Sequence, residues 1–80
     1  MKKIVVISDD RIGLVGEISK IISRLNGNII THTANVSSDG ISAISHFSAD
    51  VELNKELDNE ALSRRLKKIR NVRQVRITDT

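Results

Sequence analysis

The sequence predicts an α+β fold: a four-stranded antiparallel sheet with two helices on one face, in the order β-α-β-β-α-β. Three observations predict it. Apolar residues recur at helical spacing in two stretches, Leu14 to Leu25 and Leu57 to Ile69. Four stretches rich in isoleucine, valine or threonine alternate with them, and Asp39-Gly40 between the middle two is a strong hairpin signal. Eighty residues with no linker, repeat or low-complexity stretch make one domain, residues 1–80.

The first strand is the β-branched run Ile4-Val5-Val6-Ile7, bounded by lysines and by Ser8-Asp9-Asp10. The first helix follows, with Leu14, Ile18, Ile21, Ile22 and Leu25 on one side and Glu17, Lys20 and Arg24 on the other. Asn26-Gly27-Asn28 ends it, with Gly27 expected at the left-handed cap position. Asn28–Ser38 and Ile41–Leu53 read as strands. A two-residue type I′ turn at Asp39-Gly40 would pair positions summing to 79, setting Phe47 opposite His32. Ile30, Ala34 and Val36 would then share a face with Ala43, Phe47 and Ala49. Thr31, Thr33, Asn35, Ser37, Ser42, Ile44, His46 and Ser48 would take the other face. Asn54 or Asp58 caps the second helix, whose apolar positions are Leu57, Ala61, Leu62, Leu66 and Ile69. Asn71 breaks it, and Val72–Thr78 is the last strand, with Val75 and Ile77 on one face. Two right-handed crossovers then give the split ferredoxin-like sandwich with the first and third strands central.

Composition narrows the function classes. The apolar fraction of 39% is that of a folded chain, and Phe47 is the only aromatic residue, so little is available to stack a base or a flavin. There is no cysteine and no ligand cluster spaced for structural zinc. A domain this short and without staples gains from oligomerising. No segment reaches the ~20 apolar residues of a membrane span, and the run after Met1-Lys2-Lys3 is too short for a signal peptide. A cytoplasmic protein without membrane contact is expected, and Met1 fits a free-standing chain.

The stretch Ser8-Asp9-Asp10-Arg11-Ile12-Gly13-Leu14-Val15 joins the end of a central strand to the start of a helix. Helix N-termini present unpaired amides and the positive end of the dipole, which suit a carboxylate. Asp10 is placed to receive an ammonium group, and the Gly13 and Leu14 amides a carboxylate; together they describe a free amino acid. The alternative is structural: Asp10 caps the helix and Gly13 eases helix–strand packing.

The pattern Asp10-Arg11-x-Gly13-Leu14-Val15-x-x-Ile18, followed by Asn26-Gly27-Asn28-Ile29, resembles the ACT domain. The likeness runs through the Asp39-Gly40 hairpin to the closing Val72-x-x-Val75, essentially the whole chain. It implies a regulatory, allosteric module of amino-acid metabolism, commonly dimeric, with effectors at the subunit interface. In serine-binding members the ligand is held from places that correspond to Ser8, Asp10 and Asn28. Those members usually have His and Asn at the first two, a departure that argues against serine as the effector. The same motif sets Arg11 to brace the turn or reach a partner subunit. The candidate ligand-binding residues are therefore Ser8, Asp10, Arg11, Gly13, Leu14 and Asn28, with no cofactor and no metal.

Other chemistry finds less support. His32 and His46 are expected on opposite faces, with no carboxylate or thiol at ligand spacing. No nucleophile–base arrangement appears, and adjacent Asp9 and Asp10 point two ways, so an enzyme is not expected. Acylphosphatases share the topology, and Arg11 and Asn28 would mimic their pair, but the loop is too acidic for acyl phosphate. Seven basic residues and no acidic one lie between Arg64 and Arg76, which reads as a solvated helix face. RNA-recognition motifs have this strand order but stack bases on aromatics of the first and third strands, which this chain lacks on the open face. Nucleic acid is accordingly not an expected partner, with phosphate contact through the second helix left open. The expected partners are an amino-acid effector, a second copy of the chain or a higher homo-oligomer, and an enzyme or regulator that reads the assembly. The alternative is a protein- or RNA-interaction module that uses the basic second helix and binds no small molecule.

Overall fold

The computed structural model describes residues 1–10, 12–38, 40–53 and 58–79. Its elements are β1 (Lys2–Asp9), α1 (Leu14–Arg24), β2 (Asn28–Ser38), β3 (Ala43–Glu52), α2 (Asn59–Lys67) and β4 (Val72–Asp79). The sheet order is β2-β3-β1-β4 and every pair is antiparallel, so the two most apolar strands are central, as expected. Both helices lie against one face. Ile4 and Val6 of β1, Phe47, Ala49 and Val51 of β3, Leu14, Ile18 and Ile22 of α1, and Leu62, Leu66 and Ile69 near α2 form the buried core. β1 and β3 contribute alternate residues and each helix one stripe, which is how two amphipathic patterns share a single apolar layer.

The hairpin differs from the expected turn in an instructive way. β2 and β3 pair from Ser38 with Ala43 onward, so partners sum to 81, and Phe47 faces Ala34 while His32 faces Ala49. A two-residue slip keeps every side chain on its face, because the strand period is two. The His32 and Phe47 rings therefore still meet, stacked diagonally with centroids 5.9 Å apart. A slip of one residue would have inverted the sheet. Gly40 has φ +89°, as a turn glycine should, whereas Asp39 falls outside the described residues.

Two other expectations are corrected, and one of two alternatives is chosen. The register shifts between Ile29 and Thr31, so Ile29 packs against the core and Ile30 is left 46% exposed. The left-handed residue after α1 is Asn26 (φ 59°), not Gly27. Gly27 is required for space: a Cβ there would lie 2.5 Å from Leu53 Cδ2, 2.7 Å from Ile22 Cγ2 and 3.0 Å from the Ile22 carbonyl oxygen. Asp58 is the cap of α2, its carboxylate accepting from the Glu60 amide at 3.1 Å, and Ala61 is only half-buried. The expectations for Asn54 and Leu57 lie outside the described residues.

Lys2 ties the strand ends together. Its ammonium donates to Asn59 and, at 2.7 Å, to Asp79. That hydrogen bond and charge hold the Asp79 carboxyl below its ordinary value. A depressed carboxylate stabilises the fold above its unfolded-state value, and the contribution fades as pH falls toward the folded one. Exposure of Asp79 keeps the effect small.

Candidate functional site

The turn from β1 into α1 is built on two backbone commitments. The Asp10 amide donates to the Ala43 carbonyl at 3.0 Å, which pins the end of β1 to the start of β3. Gly13 then takes φ 85°, ψ 0° as the residue before the first helical turn, a conformation that a Cβ disfavours. Its carbonyl accepts the first helical bond, from the Glu17 amide at 3.0 Å. Among the described residues no side chain caps this N-terminus, so Asp10 is not the helix cap that the structural alternative required. Nothing lies within 4 Å of where a Gly13 Cβ would stand, so glycine serves backbone angle here and not helix–strand packing. Gly13→Ala is expected to cost about 1–2 kcal/mol through strain alone, read as a lowered denaturation midpoint at unchanged slope.

The candidate residues do not all stand at the mouth of this turn. Asp10 and Gly13 are exposed there. Leu14 offers its backbone, since its side chain is 3% exposed in the core. Ser8 is fully buried, pairs across the sheet with buried Ser45, and donates from Oγ to the Asp9 carbonyl at 3.1 Å. It backs the turn from behind. Arg11 lies outside the described residues. Asn28 is exposed at the far end of the sheet, paired with Glu52, beside the Lys2–Val51 pair where β1 begins. Eight residues of β1 separate the two ends, roughly 25 Å at about 3.3 Å per residue. A single protomer therefore does not bring Asp10 and Asn28 together.

Sequence reasoning missed one polar contact at this end. Asp9, on the open face of the sheet, has its Oδ1 2.5 Å from an Arg73 guanidinium nitrogen, an ion pair without hydrogen-bond geometry. The signal is present only as the pairing of β1 with β4. The histidines separate as expected: His32 stacks on the core side and exposed His46 pairs with Asn35 on the other face. No group of three metal-ligating side chains occurs among the described residues. No helix among them is long and apolar enough to cross a membrane. Two overlapping depressions of about 440 Å³ each lie between α1 and α2, away from the turn.

β2 is an open edge. Residues 31–38 are all exposed, on both faces, because neither helix reaches over them. Ala34 and Val36 lie on the core side of the strand yet outside the core, and Val36 is 58% exposed.

No protein-family model and no curated protein matches the chain. Solved structures do. The ACT domain from GTP pyrophosphokinase of Chlorobium tepidum superposes with a TM-score of 0.73, at 23% identity over 96% of this chain and 95% of that one. An ACT domain protein from Streptococcus pneumoniae gives 0.77, at 22% identity over 96% and 85%. A formyltetrahydrofolate deformylase from Pseudomonas syringae pv. tomato gives 0.75 at 21% identity; the match takes in 98% of this chain and only 26% of that enzyme. The strand order, the one-sided helical layer and these superpositions agree: the chain has the fold of the ACT domains.

Proposed function

We propose that this domain is a regulatory module that binds a free amino acid between two copies of itself and acts by binding, not catalysis. The observation that carries the reading is the turn at Gly13: an uncapped helix N-terminus with open space above it, next to the exposed carboxylate of Asp10. Amides and the helix dipole favour the ligand carboxylate, and Asp10 its ammonium group.

The open edge supplies the second half. A long exposed strand with unpaired amides and carbonyls is a template for another strand. β1 and β2 both run antiparallel to β3, so they point the same way. Antiparallel pairing of β2 with its twin about a two-fold axis therefore sets Asn28 of one protomer at the end where the partner's Asp10 lies. The separation of these residues within one chain becomes the reason that the site needs two. Asn28 then offers its amide to a ligand held by the opposite turn, and Ala34 and Val36 gain cover at the seam. Occupancy stabilises the dimer, and an associated enzyme or regulator reads the change.

A thermal-shift screen against the twenty amino acids tests the reading. At a hundredfold excess over its Kd, one amino acid is expected to add about 2.7 kcal/mol of stability. Asp10→Ala, which alters an exposed side chain, is expected to lose the shift while unfolding as the wild type does without ligand. No response to any of the twenty, or an undiminished shift in Asp10→Ala, refutes it.

A further inference from the structure

We propose that the groove between α1 and α2 binds the phosphate backbone of a single nucleic-acid strand, without reading its bases. One wall is α1, where Lys20, Ile21 and Arg24 fall at i, i+1 and i+4; the other is the end of α2, with Arg65, Lys68 and Ile69. These residues line a depression of about 440 Å³, with Glu17 and Arg70 also on its rim. The basic stretch from Arg64 to Arg76 accounts for one wall only. No local pattern joins it to Lys20 and Arg24, which sit at least forty positions away.

Lys20, Arg24, Arg65 and Lys68 are all exposed, and among the described residues none of the four is paired with a carboxylate. Cations in the last turn of a helix complement its dipole, which explains Arg24 and Arg65 singly. It does not explain why the two helices turn their cations toward each other. Like charges across a groove repel, and an anion between them removes the penalty.

The form of that anion follows from what else the groove holds. Its floor is Ile21, half-buried, and Ile69, 7% exposed, so an acidic protein partner finds no apolar anchor such as stable interfaces need. No aromatic or histidine ring lines the groove, and Phe47 is buried on the sheet, so a mononucleotide finds nothing to stack its base. From residue 17 to residue 24 the α1 wall runs about 10 Å at about 1.5 Å per residue, room for about two phosphates of a single strand, whose neighbours stand further apart than the about 3.4 Å axial rise of a duplex strand. A strand threaded by its backbone uses the charge and the length and needs neither missing feature. This site is independent of the amino-acid reading, since no residue is shared.

The test is anisotropy of a fluorescein-labelled 12-nucleotide single-stranded RNA of mixed sequence, titrated with the whole chain. Two neutralised phosphates give a salt slope of about −1.4 for a single strand, so affinity is expected to fall about 7-fold between 50 and 200 mM salt. The double variant Arg24→Glu/Lys68→Glu is expected to weaken binding at least about tenfold and flatten the slope. Lys3→Glu/Arg76→Glu makes the same change in net charge on strands β1 and β4 and is expected to leave affinity within about threefold. Circular dichroism verifies that both fold, and Lys20→Gln/Arg65→Gln repeats the test with neutral side chains. Equal losses in the groove and control variants, or no binding at 50 mM salt, overturn the proposal. So does displacement of the RNA by tripolyphosphate or a glutamate-rich peptide at equal charge concentration, which would reassign the groove to compact anions or acidic protein.

Discussion

Phe47→Ala is expected to remove a quarter or more of the stability of the chain at 25 °C, about 3–5 kcal/mol. The ring is fully buried at the middle of β3, paired with Val6 on one side and Ala34 on the other. It is the largest side chain in the core, and the helical stripes close over it. Truncating a buried phenylalanine costs about 3–5 kcal/mol through lost transfer energy and the cavity left behind. A chain of this size has roughly 4–12 kcal/mol in total at about 0.05–0.15 kcal/mol per residue. His32 stacks on this ring from β2, so the loss also loosens the edge strand that the proposed dimer uses. Phe47→Leu keeps most of the volume and is expected to remain folded with a lowered midpoint. Urea denaturation of both variants, followed by circular dichroism, checks the pair. A Phe47→Ala protein as stable as the wild type would mean that the core is not centred here.

Gly27→Ala has the next largest expected effect on stability, about 1–3 kcal/mol from overpacking. The added methyl meets Ile22 from two sides, the Cγ2 branch at 2.7 Å and the backbone oxygen at 3.0 Å. That same oxygen accepts the Gly27 amide at 2.9 Å and so cannot move away without releasing the end of α1. Leu53 Cδ2, at 2.5 Å, is the flexible end of a half-buried side chain and yields more easily. A domain this small loses about 4–8 °C in Tm per kcal/mol, so the substitution is visible in a simple melt. Asn26→Gly, which keeps the positive φ without a Cβ, is expected to change Tm far less.

Which parts of this were legible in the sequence follows from the range of each signal. Strand and helix order, the central placement of β1 and β3 and the facing of Phe47 rest on local periodicity, and the superpositions with ACT domains agree with them. The hairpin register was less legible, because Asp39-Gly40 specifies that a turn occurs and not how many residues it takes. Slippage by two preserved the alternation, so the faces were right from Thr31 onward although the partners were not. At Asn26-Gly27 the sequence names two residues able to take a left-handed angle, and only the proximity of Ile22 and Leu53 decides between them. The candidate site divides in the same way. The Asp10–Leu14 turn is contiguous and readable; the placement of Asn28 at the opposite end is a property of the sheet. The exposure of β2, the Asp9–Arg73 pair and the facing of Lys20 and Arg24 toward Arg65 and Lys68 depend on contacts between distant segments, which no local pattern encodes.

A ligand held, as proposed, by Asp10 of one protomer and Asn28 of the other is open to a test by mixing two inactive variants. Asp10→Ala and Asn28→Ala homodimers are each expected to lose binding of the amino acid that stabilises the wild type. In a mixed dimer one site carries both substitutions and the other carries neither. An equimolar mixture, allowed to exchange subunits, is therefore expected to recover about a quarter of the wild-type sites by calorimetric titration, since half the dimers are mixed and each holds one intact site of two. Recovery of that fraction is the result the two-fold site predicts. A mixture as inert as its components, once exchange has been verified, would contradict it.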